Sequence, residues 1–182
     1  MSINQTRAID LDSLGSGIPA LTPAYAGYFK EACMVCLDSQ GHRTGVILYV
    51  DWGGNNEDVT VGWHGTVTGQ MRAAHHETTT ATDSGACAIA LLLVRELTDY
   101  TAVQQAAIGT TVDYFLVRQP VDETLVFNHA ARLEASGIRE EKGSNTVSAR
   151  VNSRLGRLKD DSLPALIVIV EFARPKSKML QS

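Results

Sequence analysis

The chain has 182 residues, of which 44% are hydrophobic and 20% charged, a composition typical of globular domains and unlike that of disordered chains. Its net charge of −4 excludes a general polycation that coats nucleic acid. The charge is uneven, because residues 1–128 hold 6 Lys and Arg against 14 Asp and Glu, whereas residues 129–182 hold 10 against 6. A polyanionic ligand should therefore meet the C-terminal third.

The first residues, MSINQTRAIDLDSLGSG, contain neither the apolar segment of a signal peptide nor an Arg-rich amphipathic pattern. The longest apolar run, Ala86 to Val94, is too short to cross a bilayer, so no membrane partner is predicted. Three cysteines, an odd number, argue against a disulfide framework. We therefore expect a reducing, cytoplasmic location.

Residues 1–20 are polar and punctuated by Gly and Ser, which predicts a flexible N-terminal arm, followed by a single α/β domain over 21–182. Thr22 and Pro23 supply the N-cap and first position of a helix. Cys33 and Cys36 on this helix have the C-x-x-C spacing of zinc and redox sites. No second ligand pair follows at zinc spacing, so core packing is the preferred interpretation.

Two strands, Thr44 to Trp52 and Asp58 to Thr68, are predicted around a turn at Gly53 and Gly54. Residues 21–75 would thus form a helix-plus-hairpin extension. Three roles are open for it: it extends the sheet, forms a homodimer surface, or covers the site.

The clearest helix begins at Thr80 or Thr82 and carries one apolar stripe, made of Ala86, Ile89, Ala90, Leu93, Val94 and Leu97. Asp83 is expected in its first turn, on the side of this stripe. It has two possible roles there, as a favourable charge at the helix dipole or as a carboxylate of a functional site.

Two further strands, Val112 to Val117 and Ala130 to Ser136, each carry one acid, Asp113 and Glu134. Opposed residues of an antiparallel hairpin have a constant index sum, so these acids face each other if the turn is centred between Glu123 and Thr124.

Adjacent carboxylates repel unless a cation lies between them, and Mg²⁺ is commonly bound by one or two carboxylates. This register therefore predicts a metal site of Asp113 and Glu134. The alternative is a register shifted by two residues, in which each acid only caps its own strand.

Ser144 or Asn145 is predicted to cap the next helix, on which Arg150, Arg154 and Arg157 form a basic ridge. The ridge is either a solvated face or a contact surface for DNA phosphates. The apolar run from Leu163 to Phe172 predicts a central strand, and a frayed basic tail should follow it from Arg174 to Lys178.

With a further short strand predicted over Thr101 to Ala106, the order from Thr80 to Phe172 is helix, strand, strand, strand, helix, strand, with Asp113 on the second strand and Glu134 on the third. This order resembles the αβββαβ core of the restriction-endonuclease-like, or PD-(D/E)xK, nuclease superfamily, over residues 76–182. The resemblance implies a mixed β-sheet flanked by helices, Mg²⁺ held by the two acids, and DNA as substrate.

The family's lysine, two residues after the Glu, would orient or activate the attacking water, and Ser136 stands at that position. Because a hydroxyl carries no charge, another group must supply the cation, and Arg132 and Lys142 are the candidates. Many members also place a Glu on the first helix, where this chain offers Asp83.

The resemblance thus assigns a catalytic set, namely Asp83, Asp113, Glu134 and Ser136. Two functions stay open. The first is a Mg²⁺-dependent nuclease-like protein that acts on or binds DNA, with catalysis impaired by the missing lysine. The second is a non-catalytic module of the same fold that serves protein interaction or oligomeric structure.

Overall fold

A computed structural model of the protein describes residues 7–121, 128–158 and 163–182. Its strands form one mixed eight-stranded sheet in the order β1-β3-β2-β8-β7-β6-β5-β4. The helices are α1 (Pro23–Ser39), α2 (Gly69–Ala74), α3 (Thr78–Leu97) and α4 (Val147–Leu155). The strands are β1 (Arg7–Asp10), β2 (Val46–Trp52), β3 (Asn55–Gly62), β4 (Tyr100–Gln105), β5 (Tyr114–Arg118), β6 (Ala131–Ile138), β7 (Ala165–Glu171) and β8 (Lys176–Gln181). The predicted α/β class with a mixed sheet and flanking helices is confirmed.

Strand β7 lies between β6 and β8, which confirms its predicted central position. Its residues alternate between two cores because side chains of a strand point to opposite faces. Leu166 and Val168 join the large core that α1 and α3 share, whereas Ile167 and Ile169 join a smaller core with Val151 of α4. Helices α3 and α4 therefore cover opposite faces of the sheet.

Helix α1 begins as predicted, with Pro23 at its first position and the Thr22 hydroxyl accepting a hydrogen bond from Tyr25 N. Cys33 and Cys36 are both fully buried in the large core. Burial raises the pKa of the Cys33 thiol well above its usual value and that of Cys36 to about 11. Both thiols are therefore neutral at physiological pH, as expected of core residues and unlike metal-binding thiolates.

Residues 7–20 differ from the predicted flexible arm. They form β1, paired in parallel with β3, and a 3-10 helix over Leu11–Gly15. Ile9, Leu11 and Leu14 are buried in the large core, and burial of this apolar area opposes detachment of the segment.

The hairpin of β2 and β3 turns at Gly53 and Gly54, whose φ angles of +59° and +85° are readily adopted by glycine. Strand β3 ends at Gly62, earlier than the predicted Thr68. Thr68 instead caps α2 by accepting a hydrogen bond from Met71 N.

The predicted frayed tail is instead strand β8, which pairs with β7 on one side and β2 on the other. Ser177 and Met179 are buried. The alternating residues Lys176 and Lys178 form ion pairs with Glu141 and Asp51, respectively. Through β8, the N-terminal hairpin extends the sheet, one of the three roles left open by the sequence.

Two helix starts also differ from the predictions. Helix α3 begins at Thr78, because Glu77 caps it by accepting hydrogen bonds from Thr79 N and Thr80 N. Asp83 therefore lies in the second turn and does not act at the helix terminus. Helix α4 is capped by Thr146 rather than by Ser144 or Asn145. None of the described helices is long and apolar enough to cross a bilayer.

Helix α3 crosses β6 at Gly137, where a Cβ atom would lie 2.3 Å from the backbone oxygen of Thr82. We expect Gly137→Ala to lower the free energy of unfolding by at least about 3 kcal/mol, because two backbones would have to separate. Urea denaturation monitored by circular dichroism measures this change.

Gly27→Ala is the matched control. Gly27 lies on the exposed side of α1 with no neighbouring atom within 4 Å of an added Cβ, so this substitution should raise stability by about 0.5–1 kcal/mol. Equal effects of the two substitutions would contradict the close crossing.

Candidate functional site

The site begins with the register of β5 and β6. Tyr114 pairs with Leu133, Phe115 with Arg132 and Leu116 with Ala131, which is the offset required to place Asp113 opposite Glu134. The predicted register is thus confirmed, although the ladder ends one residue before Asp113. The turn predicted at Glu123 and Thr124 lies outside the described residues.

Strand β6 continues beyond the end of β5. It pairs with β7 through Ile138, but with β5 only through Leu133, so the β5 side of its last residues is open. Two of the predicted acids bind backbone N–H groups there. Asp113 Oδ2 accepts a hydrogen bond of 2.7 Å from Ala135 N, and Asp83 Oδ1 accepts one of 3.0 Å from Gly137 N.

Helix α4 brings two guanidinium groups to the polar residues of β6. Arg154 donates to Glu134 Oε1 at 2.5 Å and to Ser136 Oγ at 3.2 Å. Arg150 donates to Ser136 Oγ at 3.1 Å and to the backbone oxygen of Gly137 at 3.0 Å. Glu134 and Ser136 are themselves buried, with 5% and 1% exposure. Positive charge therefore surrounds the position at which the sequence lacks a lysine.

Neither of the residues expected to replace that lysine takes this place. Arg132 donates to the backbone oxygen of Leu163, and Lys142 forms an ion pair with Glu140. The guanidinium groups at Ser136 belong instead to Arg150 and Arg154 of α4, two of the arginines predicted to form a basic ridge.

A cavity of about 300 Å³ opens beside these groups. Its charged wall consists of Asp83, Asp113, Glu134, Arg154 and Arg157. A second cavity of about 190 Å³ shares Asp83 with the first, and Arg139 and Arg150 contribute its positive charges. The structure thus brings together three of the four predicted catalytic residues in one cavity, while Ser136 is buried beneath Arg150 and Arg154.

The protein environment disfavours the ionised forms of two of these carboxyl groups, Glu134 and Asp113. Burial raises the pKa of Glu134 to about 7, with a further rise from the charge of Asp113 and an opposing effect of Arg154 and Arg157. Burial also raises the pKa of Asp113, although the Ala135 N–H and the charge of Arg154 oppose this. A bound cation would relieve the repulsion between these carboxylates.

Each of the three acids uses one oxygen to bind the chain and keeps the other without a partner among the described residues. The oxygens without a partner are Asp83 Oδ2, Asp113 Oδ1 and Glu134 Oε2. Carboxylate oxygens are hard ligands of the kind that Mg²⁺ prefers, so the chemistry of these donors fits this ion, but the ligand atoms of the three acids do not all lie within 4.8 Å of one another.

Another acidic group lies elsewhere on the surface. Within the described ranges, the ligand atoms that gather within 4.8 Å of one another belong to the exposed residues Asp10, Asp12 and His64. Asp12 already has protein partners, because hydrogen bonds from Lys30 and His64 outweigh its partial burial and lower its pKa to about 2. This cluster is therefore already neutralised in part by the protein itself.

Sequence reasoning missed Arg139, which lines the second cavity directly after β6. Its position one residue beyond a strand that carries Glu134 and Ser136 was the available signal.

Comparison of the chain with protein-family models, with curated proteins and with solved structures finds no match. The site is therefore interpreted from its own geometry.

The raised pKa of Glu134 predicts an unusual pH dependence. Between its ordinary value of 4.5 and about 7, the folded protein holds a proton that the unfolded chain releases. Wild-type stability relative to Glu134→Gln should therefore fall as pH rises through this window, by at most about 1.4 kcal/mol per pH unit, and become constant above it. Urea denaturation of both proteins across the window measures the difference, and a difference that increases with pH would contradict the assignment.

Proposed function

We propose that the chain is a Mg²⁺-dependent, restriction-endonuclease-like nuclease that acts on DNA. The observation that carries the proposal is the set of three carboxylates on one cavity wall, each with one oxygen without a partner, next to the guanidinium groups of Arg154 and Arg157. This combination suits metal-dependent hydrolysis of a phosphodiester, in which acids hold the metal while cations neutralise the phosphate.

The order of elements from α3 to β7 supports the same proposal. It runs helix, strand, strand, strand, helix, strand, with Asp113 immediately before the second strand and Glu134 on the third. This is the arrangement on which the resemblance to the nuclease superfamily depends.

In this proposal Asp113 and Glu134 hold the metal and Asp83 assists. A bound Mg²⁺ would polarise the phosphate and lower the pKa of a water molecule. Arg154 and Arg157 bind the phosphate oxygens and stabilise the charge that develops on them. Arg150 positions this machinery, because its hydrogen bonds to Ser136, to Gly137 and to Asn145 connect α4 with the open end of β6.

A second function, a non-catalytic interaction or oligomeric module of the same fold, is favoured by a different observation. The same carboxylates already have structural partners: Asp113 and Asp83 bind backbone N–H groups of β6, and Glu134 is paired with Arg154. In that case the acids complete the sheet edge and bind no metal.

Asp113→Asn separates the two functions. An asparagine oxygen can still accept the hydrogen bond from Ala135 N, so the fold should survive. If Asp113 holds a metal, wild-type protein should melt at a higher temperature in millimolar Mn²⁺ or Mg²⁺, and the variant should lose this shift together with DNA cleavage.

The matched control is Asp58→Asn, because Asp58 is an exposed acid on β3 with no side-chain partner among the described residues. It should retain both the metal-dependent shift and the cleavage. A wild-type melting temperature indifferent to both metals, together with absent cleavage, would reject the nuclease and favour the non-catalytic module.

Arg154→Gln tests the role of the cation. Arg154 is paired with Glu134, so it competes with any metal for that carboxylate. At about pH 8 the variant should bind Mn²⁺ several-fold more tightly, because the metal no longer competes with a guanidinium for Glu134, but cleave DNA about 100-fold more slowly, because the phosphate charge loses its partner.

Titration calorimetry measures the first effect and plasmid nicking the second. Arg43→Gln, which removes an exposed arginine outside both cavities, is the control and should change neither. Weaker metal binding by Arg154→Gln, with a normal melting temperature, would contradict competition between Arg154 and the metal.

A further inference from the structure

Two arginines differ from all the other basic residues that the structure describes. Arg139 and Arg157 have no side-chain hydrogen bond or ion pair with any described group. Every other lysine and arginine in the described ranges has at least one such partner, including the highly exposed Arg43 with Asp38 and Arg174 with Glu141. Among the described residues, arginines without such a partner are therefore confined to the two that line these cavities.

The two arginines line different cavities that meet at Asp83. Arg157 contributes to the cavity of about 300 Å³ that contains the acids, and Arg139 to the neighbouring cavity of about 190 Å³. Arg139 is only partly exposed, so an anionic ligand would compensate a charge that is incompletely solvated. A guanidinium offers paired N–H donors that match the oxygens of a phosphate.

The rest of the smaller cavity supplies neutral hydrogen-bonding groups. Thr78 and Thr79 contribute hydroxyls, and Asn145 contributes an amide that Arg150 holds by a 2.7 Å hydrogen bond to its Oδ1. The N–H groups of Thr79 and Thr80 are already bound by Glu77, so anion binding here would depend on side chains and not on the start of α3.

Asp83 lies on the wall common to both cavities and carries a negative charge toward any anion that approaches it. A single phosphate placed against Asp83 would be repelled. Two phosphates on either side of it, one at Arg157 and one at Arg139, would avoid this repulsion. A ligand that repeats its phosphates along a chain fits this arrangement.

We propose that the smaller cavity is a phosphate subsite, in which Arg139 binds the phosphate next to the one at Arg157, so that one DNA strand crosses Asp83. The inference rests on the proposed function, because it takes the larger cavity as the place of the cleaved bond. It adds the path of the DNA strand across the protein, which runs from Arg157, just after α4, past Asp83 to Arg139 and the start of α3.

The test is the binding of a fluorescein-labelled 20-base-pair DNA duplex, followed by anisotropy in EDTA, where no cleavage takes place. Arg139→Gln should weaken binding about 3- to 10-fold for unrelated DNA sequences and reduce the slope of log affinity against log salt by about one. Because the side chain of Arg139 has no hydrogen bond or ion pair with any described residue, the melting temperature should not fall. Arg139→Lys, which keeps the charge, should restore the slope, and Arg43→Gln should behave as wild type.

The outcomes separate the subsite from the nuclease. Cleavage and DNA binding by wild type, with an unchanged salt slope for Arg139→Gln, would overturn the subsite alone. A reduced slope in a protein that cleaves no DNA with any metal would support the subsite and overturn the nuclease. Displacement of the DNA by polyglutamate at equal charge concentration would assign the cavity to acidic peptides and overturn the phosphate subsite.

Discussion

Strand β6 extends beyond the end of its neighbour β5, and this difference in length determines which side chains surround the last residues of β6. The N–H groups of Ala135 and Gly137 face a side where no strand is paired, and a buried N–H without an acceptor is costly. The chain meets this need with the carboxylates of Asp113 and Asp83. These two carboxylates, which accept hydrogen bonds from the sheet edge, thereby lie next to Glu134. Burial and repulsion between the carboxylates raise the pKa of Asp113 and of Glu134. The structural role and the proposed metal-binding role therefore use different oxygens of the same groups.

The same geometry explains the serine at position 136. Two guanidinium groups from α4 converge on its hydroxyl, which can accept hydrogen bonds from both. A lysine there would place a third cation, itself buried, against Arg150 and Arg154 and would be repelled. In the proposed nuclease, Ser136 with the two arginines would thus take the place of a strand lysine, because the positive charge comes from α4.

The sequence predicted the parts of this arrangement that depend on local periodicity. The alternation predicted from Ala130 to Ser136 and the index sum of the hairpin placed Glu134 and Ser136 on one face and led to the observed register. The meeting of Arg154 with Glu134 was not predictable, because it depends on how α4 packs across the sheet after its crossover from β6. The buried residues Ile9, Leu11 and Leu14 were also missed. Their spacing follows neither strand nor helix periodicity over a useful length, so composition suggested an arm.

The position of β8 has a consequence for synthesis of the protein. This strand joins the hairpin of residues 46–62 to the remainder of the sheet, being parallel to β2 and antiparallel to β7. The contacts between β2 and β8 connect residues more than a hundred positions apart, and such pairings form slowly because a long loop must close. During synthesis, the edge of β2 that faces β8 therefore stays unpaired until β8 has emerged from the ribosome. A nascent chain of this protein should accordingly depend on chaperones that shield strand edges until that moment.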